Sequence, residues 1–247
     1  MRLKDRVALI TGAGRGIGEA IARRFAAEGA IVVATDVMEE NIKKLTNELN
    51  ANGFRSMAIP VNVTNKNEVE SMVQKVVSNY GRLDILINNA AINRDALTKK
   101  MTEEQWDTVI DINLKGSFLC AKAAAEPMME QKYGKINNTA SIGALGNIGQ
   151  ANYTASKMGV IGLTSTLALE LARYNINVNC VSPGGTETTM TAGIPDNVRQ
   201  KIIEGIPLKR FAKPEEIANL HLFLVSEEAS FITGQTIFCD GGSSVGF

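Results

Sequence analysis

A chain of 247 residues suits one large α/β domain or two small ones and is long enough to bury a substantial core. Its 26 Lys and Arg balance 26 Asp and Glu, which argues against a general nucleic-acid or anionic-membrane partner, so an acidic partner would need a local basic patch. The three cysteines, Cys120, Cys180 and Cys239, are odd in number and widely spaced; this fits reduced thiols in a cytosol, with no disulfide framework and no metal site. The first residues run into a strand without the pattern of a secretory signal, and no apolar run is long enough for a membrane span. The expected location is the cytoplasm.

Residues 7–11 form a short apolar, β-rich run, and the segment Gly12-Ala-Gly-Arg-Gly-Ile-Gly18 follows at once. Residues 19–28 carry apolar side chains at helical spacing (Ile21, Ala22, Phe25, Ala26) and stop at Gly29. Strand, glycine turn and helix make the setting in which helix N–H groups and the positive end of the dipole receive a phosphate. The spacing of Gly12, Gly16 and Gly18 departs from the Gly-x-Gly-x-x-Gly fingerprint, because Ile17 holds its third glycine position. An ordinary glycine turn therefore stays open for this segment taken alone. The next strand, 31–35, ends at Asp36, about where an acid beyond a glycine turn grips ribose hydroxyls. A helix cap or turn aspartate is the plain alternative.

A helix over 39–51 follows, then a strand over 56–61 leading to Asn62 and Val63. A helix over 68–80 ends at Gly81, and a strand over 83–87 is closed by Asn88-Asn89-Ala90-Ala91. Such alternation means βαβ units and a mostly parallel sheet, whose ligands bind outside the carboxyl ends of the strands. Gly12, Asp36, Asn62 and Asn88 all fall at such ends. Residues 102–131 read as mostly helical with Asn113 in the middle, where an Asn needs a local reason. A fifth strand over 135–139 delivers Ser141 to the same edge, and a sixth over 176–181 ends at Ser182-Pro183-Gly184-Gly185. Residues 186–210 are polar, carry Gly193, Pro195 and Pro207, and read as a substrate lid with one short helix over 198–204. A helix over 214–226 holds the sole histidine, His221, expected to be structural, and a strand over 235–239 ends the pattern. With no repeat, low-complexity tract or linker, the expectation is one doubly wound domain over 1–247 with a seven-stranded parallel sheet.

Tyr153 and Lys157 stand four residues apart on a largely apolar helix, so they share one face. An ammonium held near a phenol favours the phenolate and brings the hydroxyl toward the working pH, where it can give and take a proton. Ser141 precedes the pair across a glycine-rich loop and can hold a substrate oxygen beside the Tyr hydroxyl. A Tyr-Lys pair on a solvated helix face is the plain alternative.

Together these motifs resemble the short-chain dehydrogenase/reductase family over about residues 3–242. Thr11-Gly12-x-x-x-Gly16-x-Gly18, Asn88-Asn89-Ala90, Asn113, Ser141, Tyr153-x-x-x-Lys157 and Pro183-Gly184-x-x-x-Thr188 match its motifs in order. Within the family the chain looks most like the 3-oxoacyl-(acyl-carrier-protein) reductases. Asn93-Arg94-Asp95, Gly146-Asn147-x-Gly149-Gln150-Ala151-Asn152-Tyr153 and Ile232-Thr233-Gly234-Gln235 carry that likeness. Asn62 stands where the family usually has Asp, and Ala91 where it usually has Gly.

The resemblance implies Tyr153 as proton donor or acceptor and Ser141 as binder of the carbonyl or hydroxyl oxygen. Lys157 would lower the Tyr pKa and hold the nicotinamide ribose, and Asn113 would position a water in a proton relay. The cofactor would be lined by the glycine turn (Gly12, Arg15, Gly16, Ile17, Gly18), by Asp36, by Asn62 and Val63, and by Asn89 and Ala90. Pro183, Gly184, Thr186 and Thr188 would complete it, with Tyr153 and Lys157. NAD(H) is expected over NADP(H), because Asp36 accepts from both ribose hydroxyls and repels a phosphate there, against the pull of Arg15. The implied reaction is reduction of a 3-oxoacyl thioester, on a carrier protein or coenzyme A. A dehydrogenase of a sugar, steroid or other secondary alcohol is the alternative, and a non-catalytic dinucleotide sensor a remote one. Lys132 and Arg173 match positions that dock an acidic carrier, with Glu130 diluting them, and the family likeness implies a homotetramer.

Overall fold

The computed structural model describes residues 1–245. Seven strands, β1 (Val7–Thr11), β2 (Ile31–Asp36), β3 (Ser56–Pro60), β4 (Ile85–Asn88), β5 (Gly134–Thr139), β6 (Ile176–Pro183) and β7 (Thr236–Cys239), form one sheet. Every pairing is parallel, in the order β3-β2-β1-β4-β5-β6-β7. The order reverses between β1 and β4, and that crevice is where open α/β sheets take their ligands. The helices are α1 (Gly16–Ala27), α2 (Glu39–Ala51), α3 (Lys66–Tyr80), α4 (Glu103–Ile110), α5 (Gly116–Gln131), α6 (Ala151–Leu171), α7 (Asp196–Gly205) and α8 (Pro214–Val225). The doubly wound Rossmann arrangement is the one the alternation of elements predicts.

Central strands of such a sheet are covered on both faces, so they read as continuous apolar runs. Leu9, Val33, Leu86, Ile136 and Val178 point to one face, where Met72, Val76, Ala124, Met128 and Leu167 of α3, α5 and α6 meet them. Ile10, Val32 and Ile87 point to the other, under Ile21 and Phe25 of α1, Ile42 of α2 and Leu222 of α8. Each fully buried large side chain of this kind contributes about 1.5–3 kcal/mol. The helix ends follow local chemistry. The Asn65 side chain accepts from Asn67 and Glu68 N–H at the start of α3, and Gly81 closes that helix in the left-handed region at φ 72. Thr102 and Gln105 form a capping box on α4.

At the amino edge of the sheet, buried Asp84 accepts from the Val7 N–H (2.9 Å) and from Arg6 (3.2 Å). This bond pins β1 to β4 at the base of the crevice. β4 begins two residues later than expected, and the Leu83 carbonyl before it accepts from the Gln131 side chain (2.6 Å). The predicted helix over 102–131 is interrupted: residues Asp111–Lys115 form a π-helical turn between α4 and α5. No helix among the described residues is long and apolar enough to cross a membrane.

Candidate active site

The glycine turn after β1 is shaped by contacts that leave no room for side chains. Gly12 lies at φ +64, and a Cβ there would stand 2.8 Å from the Ala90 Cα. A Cβ at Gly18 would fall 2.1 Å from the Gly12 carbonyl oxygen. The turn is clamped from β4. Thr11 Oγ1 accepts from the Asn89 and Ala90 N–H groups at 3.0 Å, and Asn89 Nδ2 donates to the Thr11 and Gly12 carbonyls at 3.2 and 3.1 Å. Asn89 therefore shapes the cradle with its side chain. Arg15 precedes α1 without a side-chain cap, so the first-turn N–H groups and the dipole of α1 are left for an anionic ligand. Ile17 packs between the two apolar clusters under α1 and α8.

Asp36 ends β2 beside this turn, as expected. Its carboxylate accepts from the Gly14 N–H (3.0 Å) and the Met38 N–H (3.0 Å). A Cβ at Gly14 would come within 2.9 Å of Asp36 Oδ2. The sequence pattern passes over Gly14, because its constraint comes from an acid 22 residues away. A carboxylate has about four acceptor positions, so two backbone bonds orient Asp36 and leave it able to accept from ribose hydroxyls. Beyond β3, Asn62 is exposed and its Oδ1 accepts from Thr64 N–H and Oγ1–H (3.1 and 2.9 Å), while Val63 is buried.

Ser141, Tyr153 and Lys157 meet at the carboxyl edge. Ser141 follows β5, with its Oγ accepting from Gly143 N–H (3.1 Å), and the Tyr153 ring and Ser141 Oγ stand 3.3 and 3.4 Å from the place a Gly143 Cβ would occupy. The start of α6 is fixed by Asn152, buried and donating to the carbonyls of Arg94 (3.0 Å) and Gln105 (2.9 Å). Lys157 is buried one turn on, 5.7 Å from the centre of the Tyr153 ring, and donates to the Thr139 carbonyl (2.7 Å). Burial pushes the lysine down from its ordinary value to about 8.

The phenol behaves differently from expectation. Burial raises its pKa, the nearby Ser141 hydroxyl lowers it in part, and the charge of Asp95 raises it again. The lysine ammonium is turned to a backbone carbonyl in this structure, and desolvation is the largest influence on the phenol. Asn113 is fully buried in the π-helical turn. Its side chain accepts from the Ile92 N–H (2.9 Å) and donates to the Ile92 carbonyl (3.0 Å) and Ser156 Oγ (3.1 Å). It ties the loop after β4 to α6, and its backbone carbonyl accepts from Ser117 Oγ (2.7 Å).

Pro183 ends β6 and Gly184 follows it, where a Cβ on Gly184 would meet the Asp240 backbone at 2.7 Å. Thr186 is buried and donates to the Gly184 carbonyl (3.0 Å), and Thr188 reaches over α1, 3.4 Å from the place a Gly16 Cβ would occupy. The segment 186–210 stands off α1 by a cavity of about 640 Å³ whose lining includes Gly16, Arg23, Thr188 and Arg199. Its helix α7 is longer at both ends than expected. Lys132 and Arg173 lie at the opposite, amino edge of the sheet, just before β5 and β6, where the Lys132 carbonyl accepts from Asn175 (3.2 Å).

A nicotinamide dinucleotide fits these residues on steric and chemical grounds. The glycine cradle at 12 and 18 is filled by any Cβ, the α1 N-terminus is uncapped by a side chain, and a carboxylate stands at the end of β2.

Comparison with known proteins agrees. The family described as enoyl-(acyl carrier protein) reductase matches residues 12–244. The 3-oxoacyl-[acyl-carrier-protein] reductase FabG of Thermotoga maritima is 50% identical over 98% of this chain and 99% of its own length. The reductase of the same name from Staphylococcus epidermidis is 46% identical over 96% of this chain and 98% of its own. A dehydrogenase subunit of Thauera aromatica, which acts on (2S)-[(R)-hydroxy(phenyl)methyl]succinyl-CoA, is 41% identical over 99% of both chains. The crystal structure of gox2181 superposes with a TM-score of 0.96 at 36% identity, covering 99% of this chain and 97% of that one. With its glycine cradle, its Ser-Tyr-Lys edge and these relatives, the chain belongs to the short-chain dehydrogenase/reductase family, whose members work with a nicotinamide cofactor.

Proposed function

We propose that this chain reversibly reduces a 3-oxoacyl thioester, on a carrier protein or coenzyme A, to the 3-hydroxyacyl product. The observation that carries the proposal is the meeting of Ser141 and the Tyr153 ring about Gly143, with buried Lys157 one turn further along α6 and 5.7 Å from the centre of that ring. Two hydroxyls converging on one point suit a single carbonyl oxygen: Ser141 holds it and Tyr153 donates the proton. Burial keeps the phenol protonated at neutral pH, the form a reduction needs. The Lys157 ammonium stabilises the phenolate left behind. When bound, the nicotinamide supplies the hydride. The Thauera relative, named for a coenzyme A thioester, supports the coenzyme A form and the oxidative direction.

Asp36 favours NAD(H). A phosphate 4 Å from its carboxylate would be repelled by about 4 kcal/mol per unit charge at an effective dielectric of 20. Arg15 returns about 1 kcal/mol or less as a solvated surface charge, and the next residue, Val37, is an exposed aliphatic side chain and no second cation. The test is kcat/KM with acetoacetyl-coenzyme A, beside a panel of cyclic ketones and sugars, using NADH and NADPH. We expect the thioester to lead the panel and NADH to lead by roughly 10- to 1000-fold. Asp36→Ala should narrow that gap by improving NADPH use. A cyclic ketone or sugar leading would favour the other dehydrogenase reading, and equal or better use of NADPH would overturn the cofactor assignment.

The same reading includes a homotetramer. Lys132 and Arg173 stand across the sheet from Ser141 of their own chain. A carrier protein docked on them would therefore serve the site of a neighbouring copy.

A further inference from the structure

Among the described residues, the Lys157 ammonium has one hydrogen-bond partner, the Thr139 carbonyl at 2.7 Å. The Thr139 side chain in turn meets one group, Nε2 of His221 on α8, at 3.4 Å. His221 is fully buried between two apolar patches of its helix, Ala218 and Leu222 on one side and Ile217 and Leu224 on the other. An aliphatic side chain would fill that place without desolvating an imidazole. Burial holds His221 down to about 3, so at neutral pH it is an uncharged, fixed dipole.

A second observation marks the same place. His221 Nδ1 has no hydrogen-bond partner, nor has either polar atom of the buried Asn137 side chain. Asn137 stands two residues before Thr139 and so on the same face of β5. Polar groups in a core are normally satisfied, and the exceptions tend to fall at functional sites. Here a polar column of Asn137, His221 and Thr139 runs through apolar packing directly behind the anchor of Lys157.

We propose that His221 is a positioning residue for the reaction: by holding the Thr139 side chain it fixes the carbonyl that receives the Lys157 ammonium. The proposal rests on the reading of Tyr153 and Lys157 as the acid–base pair. The ionisable groups facing Lys157 are Tyr153 on its own helix and Cys180 on β6, and Tyr153 also feels Asp95 from the loop after β4. No carboxylate pairs with Lys157 among the described residues, so the carbonyl carries the stabilisation of its charge. When that carbonyl is loosened the ammonium is less favoured, the phenolate loses support, and alcohol oxidation needs a higher pH.

The experiment compares pH profiles of kcat for oxidation of 3-hydroxybutyryl-coenzyme A in the unmodified protein, His221→Leu and His221→Gln. His221→Leu should move the midpoint up by about half to one pH unit, with KM within about twofold, since the residue touches no substrate. His221→Gln, whose amide reaches Thr139, should restore the profile, and Thr139→Val, which keeps the shape without the hydroxyl, should reproduce the shift. The chain has one histidine, so imidazole signals of a nitrogen-15-labelled sample report on it alone. They should move in Lys157→Met in the absence of any cofactor. Superimposable profiles for His221→Leu and the unmodified protein, or unmoved imidazole signals, would overturn the proposal. Tyr153→Phe separates the two levels: retention of more than about a tenth of kcat sinks the acid–base reading itself. An inactive Tyr153→Phe beside an unmoved His221→Leu profile sinks this proposal alone.

Discussion

Lys157 shows at the scale of one residue how the site opposes the fold. Its folded pKa of about 8 lies below its ordinary 10.5. Below pH 8 both folded and unfolded chains carry the charge, and the folded chain bears the full desolvation cost. Between about 8 and 10.5 the folded chain has released the proton while the unfolded chain still holds it, so stability rises with pH across that window. The gap corresponds to about 3 kcal/mol. Lys157→Met removes this cost but leaves the Thr139 carbonyl without its donor, a loss of about 1–3 kcal/mol. The variant should therefore be inactive yet more stable than the unmodified protein by about 1 kcal/mol at pH 7, and less stable at pH 10. Urea unfolding of both proteins at the two pH values checks this, and a difference of the same size and sign at both would refute it.

At the scale of elements, the sequence pattern carried the helices and strands well where local chemistry decides them. β1 and α2 have the predicted bounds, and α3 ends at Gly81 as its left-handed conformation requires. Asp36 and Ser141 were legible because strand ends put them at the ligand edge. Gly14 and Asn152 were not, since what restricts them is a carboxylate and two carbonyls reached only through the tertiary fold. The π-helical turn was hidden for the same reason. Asn113 interrupts a helical pattern, but what it serves, Ile92 on the loop after β4 and Ser156 on α6, is far away in the chain. Asn113→Ala would strip three hydrogen bonds and leave the part-buried Ile92 groups unpaired. The expected loss is about 2–4 kcal/mol at the urea midpoint, together with a raised KM because that loop borders the substrate side. A loss under about 1 kcal/mol would show that the π-helical turn stands without this tie.

At the scale of the whole molecule, two exposed surfaces among the described residues, on different elements, suit contact with another copy. The first is a stripe on α6, where Met158 and Leu169 are exposed, eleven residues apart and hence on one face of the helix. Gly162 lies between them with open space above it, which lets a second helix approach closely. Apolar side chains turned outward on a 21-residue helix suit cover by a second helix. The second surface is β7, the edge strand of the sheet, with Phe231 fully exposed just before it. Unpaired edge strands invite pairing with another chain. Each surface can contact its own copy about a two-fold axis, and two such self-complementary contacts on one chain close into a four-chain particle. Zero formal net charge sets no long-range repulsion against assembly. Sedimentation at micromolar concentration should give one four-chain species. Met158→Glu with Leu169→Glu should split it to two-chain particles still joined through β7, with a lower Tm because association no longer adds to stability. A monomer for the unmodified protein, or a double variant that still sediments as four chains, would show that these surfaces do not hold the assembly.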